Sequence, residues 1–136
     1  MPRQSTPLQR AADAIGDKWA LLVVAALLGG PGRFKDLQAM VPGIATNVLT
    51  KRLRHLEQFG LVVSRPYTHR PPRMEYVLTE RGRELAGALR LLTAWGSSTP
   101  KDHPQHQACG TAMEPRWHCP TCDRIVDEGE SELTYL

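Results

Sequence analysis

Phe34-Lys-Asp-Leu-Gln-Ala-Met-Val-Pro-Gly-Ile-Ala-Thr-Asn-Val-Leu-Thr-Lys-Arg-Leu-Arg-His-Leu-Glu-Gln-Phe-Gly60, with the run that follows it to Leu78, decides the fold. Phe34 to Met40 reads as a short amphipathic helix. Val41-Pro-Gly-Ile44 is a turn, because proline fixes φ and glycine adopts conformations other residues avoid. Thr46 to Gln58 is a second helix, with Val48, Leu49, Leu53, Leu56 and Phe59 recurring at the three- and four-residue spacing of one buried face. Gly60 stops it. Leu61 to Ser64 and Met74 to Leu78 are two short β-like runs, separated by the proline- and arginine-rich loop Arg65 to Arg73. Helix, tight turn, helix and basic hairpin together place one helix in a DNA major groove and a loop on the flanking backbone.

The second helix sharpens that reading. Opposite its apolar face lie Asn47, Thr50, Lys51, Arg54 and Gln58, with no acid among them. Amides, hydroxyls and cations are the groups that donate to base edges and phosphates. Arg52 sits at the edge of the apolar side, so its stem packs while its head reaches a phosphate or a nearby acid. An ordinary surface helix usually mixes both signs of charge on its solvated face, which this one does not. From Ala45 to Glu75 the chain carries Lys51, Arg52, Arg54, Arg65, Arg70 and Arg73 against Glu57 and Glu75. The net charge of +3 and the pI near 9.0 are modest, but the positive charge is concentrated where such a motif needs it. After Cys122 the balance reverses: Asp123, Asp127, Glu128, Glu130 and Glu132 stand against Arg124, so that end should face away from nucleic acid.

The surrounding segments frame this core. With 136 residues the chain makes one ordinary domain and a small appendage. Pro7 to Ile15 is a short helix, and Asp17 is the N-cap of another from Lys18 to Leu28, apolar enough to be buried nearly all round. Thr79 caps a further helix through about Trp95, with Leu85, Ala88, Leu89, Leu92 and Trp95 on one stripe. A hairpin hides only part of such a stripe, which makes a second subunit its expected occupant; packing against the N-terminal helices is the alternative. The run Met1 to Thr6 lacks the apolar core of a signal peptide, and Trp19 to Leu28 is too short to span a bilayer. A cytoplasmic protein is expected. In that reducing setting three cysteines point to metal or redox chemistry before a structural disulfide.

The tail from Ser97 carries separate chemistry. His106-Gln-Ala-Cys109 and Cys119-Pro-Thr-Cys122 are an H-x2-C and a C-x2-C pair, each able to put two donors on one turn of a tetrahedral Zn²⁺ site. Pro120 stiffens the second. With few apolar groups beyond Met113, Trp117, Ile125, Val126 and Leu133, such a segment needs its metal to fold. Cys109, Cys119 and Cys122 are the firm members of one Zn²⁺ site per chain. His106 fits best as the fourth, with His103, His118 and Asp123 as alternatives. The rivals are a redox switch, in which Cys119 and Cys122 form a disulfide and Cys109 is free, and an unstructured tail with incidental cysteines.

Ile15-Gly-Asp-Lys-Trp19, Leu28-Gly-Gly-Pro31, Arg33-Phe-Lys-Asp-Leu37, Val41-Pro-Gly-Ile44, Val48-Leu-Thr-Lys-Arg-Leu53, Leu56-Glu-Gln-Phe-Gly-Leu61 and Tyr76-Val-Leu-Thr-Glu-Arg-Gly82 together resemble the HxlR-type winged helix-turn-helix transcriptional regulators. The resemblance runs from about Thr6 to Trp95. It implies a homodimer joined through its N- and C-terminal helices, with Thr46 to Gln58 as recognition helix and Arg65 to Arg73 as wing. Two positions depart from it. Many members carry an oxidant-sensing cysteine near the place of Thr6, and threonine cannot form a thiolate. The family's serine at the start of the recognition helix is Ala45 here, so Thr46 is expected to take over the cap.

The expected architecture is therefore mainly α with a small β-hairpin wing, a winged helix-turn-helix over residues 1–96, and a small zinc-knuckle-like or zinc-ribbon-like segment over 97–136 tethered by Gly96-Ser-Ser-Thr-Pro100. Thr46, Asn47, Thr50, Lys51 and Arg54 are the expected major-groove residues; Arg65, His69, Arg70 and Arg73 are expected on phosphates or in the minor groove. The expected partners are double-stranded DNA with a two-fold symmetric operator, a second copy of the chain, and an effector the sequence does not identify. No membrane partner is expected. A protein-docking adaptor is the competing class and predicts tolerance of charge reversal at Lys51 and Arg54. Catalysis is not expected, since no acid–base pair or histidine stands at a spacing that would activate a nucleophile.

Overall fold

The computed structural model describes residues 4–127 and Gly129. Met1 to Arg3 of the N-terminal run, the acidic Glu128, Glu130 and Glu132, and Leu133 lie outside the described residues. Among the described residues no helix is long and apolar enough to cross a membrane.

The chain divides into two compact units, Met1–Leu89 and Arg90–Leu136. In the first, α1 (Pro7–Ile15) begins at a capping box: the Thr6 hydroxyl accepts from the Gln9 N–H, and the Gln9 side chain accepts from the Thr6 N–H. Asp17 caps α2 (Lys18–Leu28), its Oδ1 accepting from the N–H groups of Trp19 at 2.9 Å and Ala20 at 3.2 Å. Helices α3 (Phe34–Met40) and α4 (Thr46–Gln58) form the helix-turn-helix across the expected Val41–Ile44 turn. Helix α4 stops as the sequence predicts: Gly60 takes φ +70, and the Leu61 N–H returns to the Leu56 carbonyl at 2.9 Å.

The core is the meeting of α2, α3, α4 and the wing. Leu37, Leu49, Leu53 and Leu56 are fully enclosed with Val23, Val24, Val41 and Val62. Each such side chain contributes about 1.5–3 kcal/mol of burial. Helix α2 departs from expectation, because Leu22 and Ala25 point outward. Among the described residues α4, β2, α1 and α3 pack against α2, and Leu22 lies on a side left uncovered. Phe59 also departs. It sits at the C-cap of α4, where the helix no longer fixes its direction, and is 41% exposed beside the His55 ring.

The wing is larger than predicted. Strands β1 (Val62–His69) and β2 (Pro72–Leu78) pair antiparallel from Val62↔Leu78 to His69↔Pro72, with a bulge between Pro66 and Thr68. Most of the expected loop Arg65 to Arg73 is thus strand, since proline is tolerated in a two-stranded ribbon with free edges. Gly32 bridges Tyr76 through two backbone hydrogen bonds of 3.0 and 2.7 Å, tying the wing to the segment before α3.

The expected long last helix is two helices, α5 (Glu80–Arg83) and α6 (Ala86–Gly96). Thr79 caps α5 and its hydroxyl also donates to the Gly60 carbonyl at 2.6 Å. Gly82 is pressed onto the Leu61 carbonyl, where a Cβ would stand 2.2 Å from the oxygen, and the Leu85 N–H turns back to the Gly82 carbonyl at 3.2 Å. That tight turn ends α5. Of the expected apolar stripe only Leu89 is buried and Leu85 partly so; Leu92 is 50% and Trp95 89% exposed.

The second unit contains a short 3-10 turn (Pro100–Asp102) and a hairpin of β3 (Trp117–Cys119) and β4 (Arg124–Val126). Trp117 pairs with Val126, His118 with Ile125 and Cys119 with Arg124.

Candidate nucleic-acid interface

Helix α4 turns its apolar residues Leu49, Leu53 and Leu56 inward and leaves Asn47, Lys51, Arg54 and Gln58 exposed, as the periodicity predicts. Three buried leucines at the three- and four-residue spacing fix the rotation of the helix, so the exposed set is imposed by packing. Among the expected groove residues, Thr46 and Thr50 have internal duties. The Thr46 hydroxyl accepts from the Gln38 amide of α3 at 2.9 Å, and the Thr50 hydroxyl donates to the Thr46 carbonyl at 2.9 Å. Thr46 is therefore not the cap: Ala45 holds the N-cap position with no side-chain hydrogen bond, and Thr46 instead braces α4 against α3.

Arg52 takes the second of its two predicted courses. Its head turns to an acid of its own chain, Nε lying 3.8 Å from Asp17 Oδ1 at the start of α2. His55, which the sequence reading did not single out, reaches α1: its Nε2 lies 3.0 and 3.1 Å from the Asp13 and Ala14 carbonyls. A helix C-terminus leaves such carbonyls without internal partners. Arg52 and His55 together anchor α4 to α1 and α2.

In the wing, His69, Arg70 and Arg73 are exposed around the turn. Arg65 is exposed as well, but its Nε donates to Glu75 Oε1 across the ribbon at 2.9 Å, so its charge is partly spent within the hairpin. Two further residues join this surface. The Arg33 guanidinium beside Tyr67 holds its phenol below the ordinary pKa, with Arg73 acting in the same direction. The Arg33 guanidinium also lies 5.7 Å from the Tyr67 ring centre and binds Asp36 at 3.1 Å. Arg33, Tyr67 and Arg73 therefore bring α3 and the wing together at one cationic edge. The sequence could show Arg33 as a basic residue next to the motif, but only the wing's extended pairing brings Tyr67 to it.

The expected metal residues stand in the second unit as two pairs. His106 Nδ1 is 3.4 Å from Cys109 Sγ, and the Cys119 and Cys122 thiols are near enough to shift each other's ionisation. Backbone N–H groups of Cys122 and Thr121 hold the Cys119 thiol below its ordinary pKa. The Thr111 hydroxyl and N–H do the same for Cys109, while the neighbouring Cys119 sulfur pushes Cys122 up. Of the alternative ligands, His118 lies 3.1 Å from Asp123 Oδ1. Among the described residues no three His, Cys, Asp or Glu side chains converge on one point.

Comparison with known proteins agrees with the first unit's geometry. Residues 14–104 match the HxlR-like helix-turn-helix family. An uncharacterized HTH-type transcriptional regulator of Mycobacterium tuberculosis is 37% identical over 123 residues, spanning 86% of this chain and 77% of that one; the alignment therefore runs beyond the winged helix. Among solved structures, the HTH-type regulator ytcD superposes with a TM-score of 0.64 at 36% identity, covering 68% of this chain and 94% of its own. The redox regulator HypR in its reduced form gives 0.62 at 35%, covering 67% and 90%. The chain belongs to the HxlR-like family of winged helix-turn-helix transcriptional regulators.

Proposed function

We propose that the protein is a sequence-specific, cytoplasmic DNA-binding regulator that acts as a homodimer on a two-fold symmetric operator. The observation that carries this reading is the face of α4: Asn47, Lys51 and Arg54 are exposed together, without an acid, on a helix whose rotation the core fixes. Asn47 and Arg54 read base edges, and Lys51 and Thr50 line the same groove. His69, Arg70 and Arg73, with Arg65 in a lesser part, lie along the flanking backbone. Uncovered apolar surface supports the dimer. Helix α1 buries no residue, and Leu8, Leu22, Leu92 and Trp95 are exposed on α1, α2 and α6. A second copy covers such surface and places two recognition helices at the spacing of two half-sites. An effector would act by preferring one arrangement of the two copies.

For the tail the proposal is one structural Zn²⁺ per chain on Cys109, Cys119, Cys122 and a histidine, a closed set of thiolates and imidazole with no open position for catalysis. A second reading, thiol redox sensing by Cys109, Cys119 and Cys122, draws on the contact between the Cys119 and Cys122 thiols and on the likeness to the redox regulator HypR. Metal-free protein with three titrating thiols, prepared under reducing conditions, would favour it.

Selection of genomic fragments by the purified protein, followed by sequencing, tests the main reading. An enriched inverted repeat is the expected result. Charge reversal at Lys51 and Arg54 should abolish the enrichment, and its survival would favour the docking-adaptor class.

A further inference from the structure

The two donor pairs of the tail are the same turn built twice. In the first, Gln105 bridges Ala112 and encloses His106 and Cys109. In the second, His118 pairs with Ile125 and encloses Cys119 and Cys122. Both enclosures have equal length, and the donors fall at equal places in them. The residue after the second donor is left-handed in each: Gly110 at φ +71 and Asp123 at φ +51. A left-handed residue there reverses the chain directly behind the second sulfur. In the first turn this is tied by the Cys109 and Gly110 N–H groups, which donate to the His106 carbonyl at 3.2 and 2.7 Å. Glycine adopts this conformation freely, and Asp is among the few side chains that tolerate it.

Resting on the zinc assignment proposed for the tail, we infer that its metal is closed between these two equivalent turns, with His106 as fourth ligand because it occupies the place that Cys119 holds in the other copy. The equivalence decides among the imidazoles. His118 falls at the place of Gln105, outside the donor positions, and is engaged by Asp123 at 3.1 Å. His103 precedes the first turn altogether. Each turn by itself offers two donors, half of a tetrahedral set. As folded here the halves stand apart, since no three candidate ligands converge among the described residues. Closing one metal site therefore requires the two turns to approach one another. Thiolate and imidazole on a closed tetrahedron select Zn²⁺, for which Co²⁺ is a spectroscopic stand-in.

The test is titration of the reduced, full-length protein with Co²⁺, followed by displacement with Zn²⁺. One Co²⁺ per chain is expected, with tetrahedral visible bands and charge transfer from three thiolates. His106→Cys should keep one metal and add a fourth thiolate to the spectrum. His106→Ala should weaken binding by more than the roughly 10–100-fold that loss of an outer-shell partner costs. His103→Ala and His118→Ala should leave affinity and spectrum unchanged. If the wild type binds no metal, the zinc assignment itself fails. If it binds one metal per chain that depends on His118 or His103 and not on His106, the assignment stands and the equivalence of the two turns is overturned. One metal per two chains would overturn closure within a single tail.

Discussion

Asp17→Ala tests how the recognition helix is held to the rest of the domain, because one carboxylate serves two elements. Its Oδ1 accepts from the Trp19 and Ala20 N–H groups and faces Arg52 Nε at 3.8 Å. Losing a side-chain N-cap costs about 1 kcal/mol. The ion pair is partly exposed and adds roughly 0.5 kcal/mol or less. Arg52 Nε is buried and makes no hydrogen bond even in the wild type, so the substitution takes none from it. The sum is about 1.5 kcal/mol. In a domain of this size each kcal/mol moves Tm by about 4–8 °C, so melting should fall by about 6–12 °C. Calorimetry and urea unfolding should agree, with an unchanged urea slope. Asp17→Asn keeps an acceptor for the cap and should lose only about half as much. An Asp17→Ala protein melting within about 2 °C of wild type would refute the argument that this residue clamps α2 and α4.

Replacing Arg70 or Arg73 by alanine should weaken binding to all DNA sequences alike and lower the slope of affinity against salt by about one counterion each; loss confined to one sequence would place these residues at base edges instead. Tyr67→Phe removes the oxygen that gathers Arg33 and Arg73 and should reduce DNA affinity in binding titrations while leaving thermal melting unchanged. An equal fall in both would mean that Tyr67 serves the hairpin alone. Leu92→Glu places a charge on the exposed stripe of α6, and sedimentation should show monomers where the wild type sediments as a dimer. Leu89 is the poorer choice for that experiment, because it is buried within one chain.

The helices around the motif were legible because local physics decides them. Asp17, Gly60 and the leucine spacing of α4 set caps, stops and faces with no help from the rest of the chain. What the sequence concealed depends on long-range pairing. Arg65 to Arg73 reads as a loop from its prolines, yet cross-strand pairing carries β1 to His69. The break between α5 and α6 follows from the approach of Gly82 to the Leu61 carbonyl, two positions far apart in sequence. The same holds at the DNA face. Asn47, Lys51 and Arg54 followed from helical period, whereas Arg65's partner Glu75 and the Arg33–Tyr67 contact exist only once the ribbon is formed. In the tail the donor spacing was visible in the chain, but the likeness of the two turns lies in φ angles and bridges that no residue pattern states.

The central claim is that α4 reads bases. Binding of wild type and Arg54→Ala to the selected operator and to a scrambled duplex of equal length, across a range of salt, tests it most directly. Arg54→Ala should cost about 1–3 kcal/mol on the operator and relax base preference, with much less change on the scrambled duplex. An equal loss on both duplexes, or none on either, would contradict the claim that this helix carries the sequence readout.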